Sequence, residues 1–357
     1  MMLRLFLTIT LLISTANAYS PKVPWLKQLS SINDLELVVT PEQNHTPLYN
    51  AFAKAQKTIR IGIFGISSKD MADEIEKQIK RGINVTIICD KYCTNNEKRK
   101  AIFEQLKAAG ANIMVATKGF SISHWKMFVI DDTLAFISTM NFISRANQMR
   151  DLGVFTADKN VINEIIAVFD QDVKNAQKQT ANTPELKVTN LVWSPNNSEG
   201  KLVDLINSAD SSIEIWIENM GNPRIHEALA AAVKRKVQVR VLTSVCGLGM
   251  AADAAYRNLK DLSKKGIAVK GTPYPANEEI PYIHAKTINV DHKAVFLGSE
   301  NFSVNSLTKA RELGIVFNDQ ATEAKMAALF EKDWSKAVEI PEEAPEKCSP
   351  LTSNTEE

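Results

Sequence analysis

Two short stretches hold the residue types from which a phosphate site can be built. In "SHWKMFVIDD" (Ser123 to Asp132) His124 and Lys126 stand two residues apart and Asp131 follows; in "IHAKTINVD" (Ile283 to Asp291) His284, Lys286 and Asp291 repeat the spacing. Each stretch alternates as a strand does, so His and Lys share one face. A single such strand reads as a solvated strand end, and it is the repetition that calls for a reason. Two imidazoles and two ammonium groups around one pocket, with no carboxylate at their tips, would repel one another unless they held an anion. A phosphate suits them, because Lys supplies charge and donors to its oxygens. Thr139 and Asn141 after the first stretch, and Ser299 and Asn301 after the second, are expected as further donors.

The imidazoles can divide the work at phosphorus. One attacks and becomes a phosphohistidine; the other protonates the leaving alkoxide, then takes a proton from the water or alcohol that resolves the intermediate. Each needs a carboxylate on its other nitrogen. Asp151 and Glu312, at matching places after the two stretches, are the candidates, and each is expected to serve the histidine of its own half. Asp131 and Asp291 have the wrong strand parity to face the phosphate and sit where each strand turns, which reads as a backbone role. No Asp, His or Glu cluster has metal-ligand spacing, so no cofactor is expected and the lysines take the place of Mg²⁺.

The elements that must position these residues are written twice. "KTIRIGIFGI" (Lys57 to Ile66) matches "SSIEIWIENM" (Ser211 to Met220), and "FEQLKAAGANIMV" (Phe103 to Val115) answers "RNLKDLSKKGIAVK" (Arg257 to Lys270). "LAFISTMNFI" pairs with "AVFLGSENFS", "RDLGVF" with "RELGIVF", and each half closes on an amphipathic helix. Strands alternating with helices, then strands joined by short turns, give an α/β class. The architecture expected is two α/β/α-sandwich halves with mixed sheets, related by a pseudo-two-fold axis that brings the motifs together at the interface. The boundaries read are 1–18 as a signal peptide, 19–180 as the first half, 181–200 as a linker, 201–338 as the second half, and 339–357 as a disordered tail rich in Pro, Glu and Ser.

"MMLRLFLTITLLISTANA" has one charge, a short apolar run and a small-x-small end, the pattern of a secretory signal rather than a span. Its removal takes Arg4 and no acid, so the formal charge falls from +1 to 0. A neutral chain has no general field drawing it to nucleic acid or anionic lipid. Basic runs at Lys98-Arg99-Lys100 and Lys234-Arg235-Lys236 read as solvated helix faces. Export permits disulfides among Cys89, Cys93, Cys246 and Cys348, and the pairing stays open.

With these residues in place, the chain resembles the phospholipase D superfamily. Both copies of His-x-Lys-x4-Asp occur in order, the second followed by Gly298-Ser299-x-Asn301 and Glu312. The first departs: Ser138 stands for Gly, Thr139 for Ser, and Asp151 for Glu one residue early. The resemblance runs from about Leu48 to Val338. It implies a metal-independent phosphodiesterase with His124, Lys126, Asp131, His284, Lys286 and Asp291 as its catalytic motif residues, His124 as nucleophile and His284 as general acid and base. For substrate, the neutral charge and apolar stretches at Ser244 to Tyr256 and Tyr274 to His284 favour a phospholipid, hydrolysed by a secreted or periplasmic monomer in transient contact with a membrane surface. The first half has only "TKGFSIS" before its motif, so the pocket walls should differ. A nuclease is the alternative, set back by the absence of basic residues interleaved with aromatics; a cardiolipin synthase-like transferase is another.

Overall fold

The computed structural model describes residues 23–145, 148–245, 252–272 and 280–343. The signal-peptide expectation, Cys246, Cys348, the tail from 344 onward and the stretches 246–251 and 273–279 lie outside the described residues.

The first half runs β1 (Glu36–Thr40), α1 (Thr46–Lys54), β2 (Thr58–Ile63), α2 (Lys69–Lys80), β3 (Asn84–Cys89), α3 (Glu97–Ala109), β4 (Asn112–Val115), β5 (Lys126–Ile130), β6 (Leu134–Ser138), β7 (Met149–Thr156) and α4 (Lys159–Lys178). The second runs β8 (Leu191–Ser194), α5 (Ser198–Asn207), β9 (Ser212–Ile217), α6 (Pro223–Lys234), β10 (Gln238–Ser244), α7 (Ala252–Lys264), β11 (Ala268–Thr272), β12 (Tyr282–Ile283), β13 (Lys286–Val290), β14 (Ala294–Gly298), α8 (Val304–Thr308), β15 (Glu312–Phe317), α9 (Gln320–Lys336) and β16 (Val338–Glu339). Caps mark the helix ends. Asn96 accepts from the Arg99 amide at 2.9 Å at the start of α3, and Gly110 ends that helix at φ 108°, a conformation costly for other residues.

The sheets share one strand order, β1-β7-β6-β5-β2-β3-β4 and β8-β15-β14-β13-β9-β10-β11, with β16 added beyond β11. In each, three strands are parallel and the rest antiparallel, as expected from helical crossovers followed by short turns. One boundary is corrected. The stretch 181–200, expected as a linker, contains β8 and the start of α5, and β8 pairs antiparallel with β15 from Leu191↔Ile315 to Ser194↔Glu312. Four buried residues between turn-rich strings are too few to show a strand period. The second half also reaches Glu339, one residue into the expected tail, where β16 pairs with Lys270 and Gly271.

Alternation along β5 separates two cores. Phe128 and Ile130 pack outward beneath α1 to α3, whereas Met127 and Val129 face a core shared by the halves, with Trp193, Trp216, Val295 and Leu297 opposite and Phe169 of α4 and Phe330 of α9 at its margins. Burying each such side chain stabilises the structure by about 1.5–3 kcal/mol relative to exposure. The chain also crosses between the halves. Tyr282 and Ile283 pair in parallel with Met149 and Arg150 of β7, and Ser123 bridges to Arg311 beside β15. Buried Arg150 bonds Asp333 of α9 at 2.7 and 2.9 Å, and buried Arg311 pairs with Asp172 of α4 at 2.8 Å. Each guanidinium is thus matched by an acid of the other half, a reciprocal arrangement of buried charge that specifies how the halves register.

Candidate active site

His124 and His284 stand just before the central strands β5 and β13. The backbone that holds each belongs to the other half: the His124 amide donates to the Arg311 carbonyl at 2.8 Å, and the His284 amide to that of Arg150 at 3.1 Å. The residue before each histidine is pinned from the end of a parallel strand, Ser123 by Asp90 at 2.9 Å and Ile283 by the Ser244 hydroxyl at 2.8 Å.

This crossing corrects the expected carboxylate partners. His124 Nδ1 bonds Glu312 Oε2 at 2.8 Å, and His284 Nδ1 bonds Asp151 Oδ1 at 2.7 Å. Asp151 and Glu312 are the orienting acids, but each serves the histidine of the opposite half, because Arg150 and Arg311, which dock the lead-in strands, immediately precede them in sequence. The Nδ1 proton goes to the acid in each pair, so Nε2 faces the pocket. Burial, followed by the Lys126 charge, holds the His124 imidazole below its ordinary value against the pull of Glu312. His124 is therefore neutral at neutral pH, with a lone pair on Nε2, the state a nucleophile needs.

Lys126 and Lys286 are buried, and each donates to the carbonyl of its own histidine, Lys126 at 2.6 Å. Burial brings the Lys126 ammonium down to about 7, with the nearby Lys286 charge adding to the fall. The crossed His–carboxylate bonds at 2.8 and 2.7 Å place the two motifs at one interface, as the pseudo-two-fold requires.

Other expected ligands are revised. Thr139 spends its hydroxyl on Asp151 Oδ1 while accepting from the Leu152 amide at 3.0 Å, so it supports the His284 acid rather than a phosphate. Ser299 accepts from the Leu313 amide at 3.1 Å. The side-chain oxygens of Asn141 and Asn301 are buried without a partner, and the Asn301 amide nitrogen donates to Glu218 Oε2 at 3.4 Å. Asp131 and Asp291 lie at the far ends of β5 and β13 and are structural. Asp131 accepts from the amides of Gln56, Lys57 and Thr58 at 2.7 to 2.8 Å, and Asp291 from those of Asp210, Ser211 and Ser212 at 2.7 to 2.9 Å. Their φ angles of 51° and 54° also begin the left-handed turns that reverse the chain into β6 and β14, a conformation Asp tolerates.

The pocket is not free of other carboxylates, contrary to expectation. Glu218, the residue after β9, is largely but not fully buried, with Oε2 at 2.9 Å from Lys286 Nζ and 3.6 Å from His284 Nε2, and Oε1 accepts from the Tyr282 hydroxyl at 3.0 Å. Its counterpart in the repeat is Phe64, whose ring meets His124 edge-on at 4.9 Å and stacks on Tyr92 at 4.5 Å, with the Arg99 guanidinium 3.8 Å above Tyr92. The walls therefore differ, one aromatic and one acidic. Glu218 had a signal in sequence: a charged residue directly after the apolar run Ile215-Trp216-Ile217, at the carboxyl end of a central strand where α/β sheets bind ligands. Ser306, which donates to Glu312 Oε1, had none.

Glu300 explains a departure in the first motif. Neither of its carboxyl oxygens has a partner with hydrogen-bond geometry, although its own amide and that of Ser299 lean toward it. A Cβ built on Gly298 or Gly314 would come within 2.3 or 2.9 Å of Oε2, so these glycines clear room for the carboxyl. In the first half Met140 takes the place of Glu300, no such room is needed, and Ser138 replaces the glycine with its hydroxyl 3.1 Å from the Lys126 carbonyl. Cys89 and Cys93 are buried free thiols, and among the described residues no group of three or more His, Cys, Asp or Glu is placed to hold a metal.

The family model for "Cardiolipin synthase, PLD-like domain" matches residues 48–173 and 202–334, one copy in each half. The chain belongs to the phospholipase D-like family. Its members among known proteins include a cardiolipin synthase of Clostridium perfringens strain 13, 22% identical over 89% of this chain and 74% of that protein. Phospholipase D Z of Dictyostelium discoideum is 30% identical over 32% of this chain, a match spanning 26% of that protein. The mitochondrial cardiolipin hydrolase of Mus musculus is 27% identical over 39% of this chain and 59% of that protein. Among solved structures, phosphatidylserine synthase of Haemophilus influenzae Rd KW20 shares the fold at TM-score 0.64 and 14% identity, over 86% of this chain and 87% of that one. Polyphosphate kinase of Porphyromonas gingivalis does so at TM-score 0.62 and 15% identity, over 88% and 53%. As a phospholipase D-like protein the chain is an enzyme of phosphodiesterase or phosphatidyl-transferase type.

Proposed function

We propose that this protein cleaves the head-group phosphodiester of phospholipids through a phosphohistidine. His124 Nε2 attacks phosphorus and the bond to the head-group oxygen breaks, while His284 gives its Nε2 proton to that oxygen. His284 then takes a proton from water, the water oxygen attacks phosphorus, and the P–N bond to His124 breaks. Lys126 and Lys286 balance the charge on the non-bridging oxygens. The observation that supports a lipid diester is the dissimilarity of the two walls, aromatic at Phe64 and Tyr92 and acidic at Glu218, which suits a phosphate with unequal arms.

A second reading, transfer of the phosphatidyl group to an alcohol, is favoured by the matching family model and the Clostridium perfringens relative. We place either activity outside the cytoplasm, on the strength of residues 1–18, with the enzyme acting as a monomer at a membrane surface. Among the described residues no helix is long and apolar enough to cross a membrane. The test is the purified protein on phosphatidylcholine liposomes, on phosphatidylglycerol liposomes and on single-stranded DNA, each in excess chelator. Phosphatidate is expected from the first, and a phosphatidyl alcohol when a primary alcohol is added. Cardiolipin from the second would favour transfer. Cleaved DNA with no lipid product would overturn the lipid reading, and activity restored only by a divalent ion would overturn the metal-independent chemistry.

A further inference from the structure

Glu218 stands where a phosphate oxygen would be expected to stand. Its Oε2 is 2.9 Å from Lys286 Nζ, 3.4 Å from the Asn301 amide nitrogen and 3.6 Å from His284 Nε2, the ring nitrogen left free by Asp151. Those groups are the second half's share of the phosphate cradle, and a carboxylate already lies among them. Tyr282 holds the other oxygen, so the side chain is fixed at both ends. Although burial opposes it, the charge of the Lys286 ammonium, which also donates to it, keeps the carboxyl ionised. Across the two-fold, Phe64 occupies the equivalent place and sets its ring 5.5 Å from Lys126 Nζ. Among the described residues the pocket thus carries, below about pH 7 where Lys126 keeps its proton, two ammonium groups and one fixed negative charge beyond the paired histidines and their acids.

We propose that Glu218 is a charge filter that admits the single negative charge of a phosphodiester and rejects the double charge of a phosphomonoester. One unit of anion is balanced by the cationic surplus; a second is added against a carboxylate that shares the same donors. The repulsion grows in proportion to ligand charge. A hydrolysed diester acquires that second charge when it becomes a monoester, whose second pKa lies near 6. The filter therefore disfavours retention of the product as well as entry of free phosphate esters. This rests on the phosphodiester reading of the site but concerns binding, which is measured without turnover.

The experiment compares methyl phosphate and dimethyl phosphate, near-equal in size and unequal in charge, by calorimetric titration of the full chain at about pH 6.5, where Lys126 keeps most of its charge and the monoester is mostly dianionic. Glu218→Gln keeps the shape and can still accept from Tyr282. If it tightens the monoanion about tenfold, it should tighten the dianion by about the square of that factor, ~100-fold, because the lost repulsion scales with charge. Glu218→Asp, which retains the charge, should leave the ratio of the two affinities within about threefold of the wild type, the scatter usual for single interactions at this level. Equal tightening of both ligands in Glu218→Gln would show that Glu218 only occupies space, and failure of the variant to bind methyl phosphate would equally overturn the filter. A wild type without diesterase activity, with the affinity ratio still shifted in Glu218→Gln, would sink the functional reading and leave the filter standing.

Discussion

The crossed carboxylates make a prediction that separates the two histidines. In Glu312→Gln the amide can still receive the Ser306 hydroxyl, but the negative charge beside His124 is gone. That charge lies 2.8 Å from Nδ1 with Glu312 fully buried, and it stabilises the positive charge that His124 acquires as the P–N bond forms. For charge centres about 4 Å apart at an effective dielectric near 20 the interaction is about 4 kcal/mol. That converts to ~10³-fold in the rate of phosphoenzyme formation, and the corresponding Asp→Asn change in a serine protease triad costs ~10⁴-fold. In Asp151→Asn the same loss falls on His284, 2.7 Å away. With bis(p-nitrophenyl) phosphate the leaving group needs no proton, so this variant should release one equivalent of p-nitrophenolate at near-normal rate. It should then stall, because His284 no longer activates water. Rapid-mixing absorbance resolves burst from turnover, and mass spectrometry of quenched protein locates the phosphoryl group, expected on the His124 peptide of Asp151→Asn. A burst kept in Glu312→Gln and lost in Asp151→Asn would refute the reasoning, since that is the outcome if each acid served its own half.

Three further outcomes are expected. Because the buried Lys126 ammonium titrates at about 7, the charge that holds the substrate oxygen is present below that pH and lost above it. The kcat/KM profile should therefore fall as pH rises through about 7, and Lys126→Arg, which stays charged, should be slower but lack this falling limb; an identical limb in the variant would assign it elsewhere. Burial, with the Glu312 charge adding, holds the Glu300 carboxyl protonated well above the ordinary range, so the native state keeps a proton that the unfolded chain releases and stability falls as pH rises above the normal Glu value. Glu300→Gln needs no such proton and should gain on the wild type in thermal melts from about pH 5 to 8, by about 1–3 kcal/mol, the cost scale of a buried polar group without a partner; a constant difference across that range would contradict it. The three amides held by Asp131 outweigh its partial burial and depress its pKa, so its contribution to stability is present above the ordinary Asp range and is lost as pH falls through the lowered value. Asp131→Ala should unfold about 2–3 kcal/mol more easily at neutral pH in denaturant titrations, less so in acid, with kcat of the folded fraction unchanged; a drop in kcat at full folding would return Asp131 to the chemistry.

Periodicity and repetition are local properties, and what they specify was legible before any coordinates. The duplicated halves, the mixed sheets, His124 and His284 with Lys126 and Lys286, and the turn role of Asp131 and Asp291 all follow from residues within one strand or its mirror copy. The length of β8 was not legible, because four residues between turn-forming strings carry too little period. Nor was the partnership of Glu312 with His124 or of Asp151 with His284. Spacing along the chain measures proximity only within an element, whereas these bonds arise where the lead-in to β5 lies against Arg311 and β12 lies beside Arg150, contacts between halves some 130 to 190 residues apart. Glu218 belongs to the same class. Its charge was visible at the end of a strand, but only the docking of Tyr282, Lys286 and Asn301 around that strand end places the carboxylate among the donors of the phosphate pocket, because a side chain's electrostatic role depends on neighbours that the chain brings in from elsewhere.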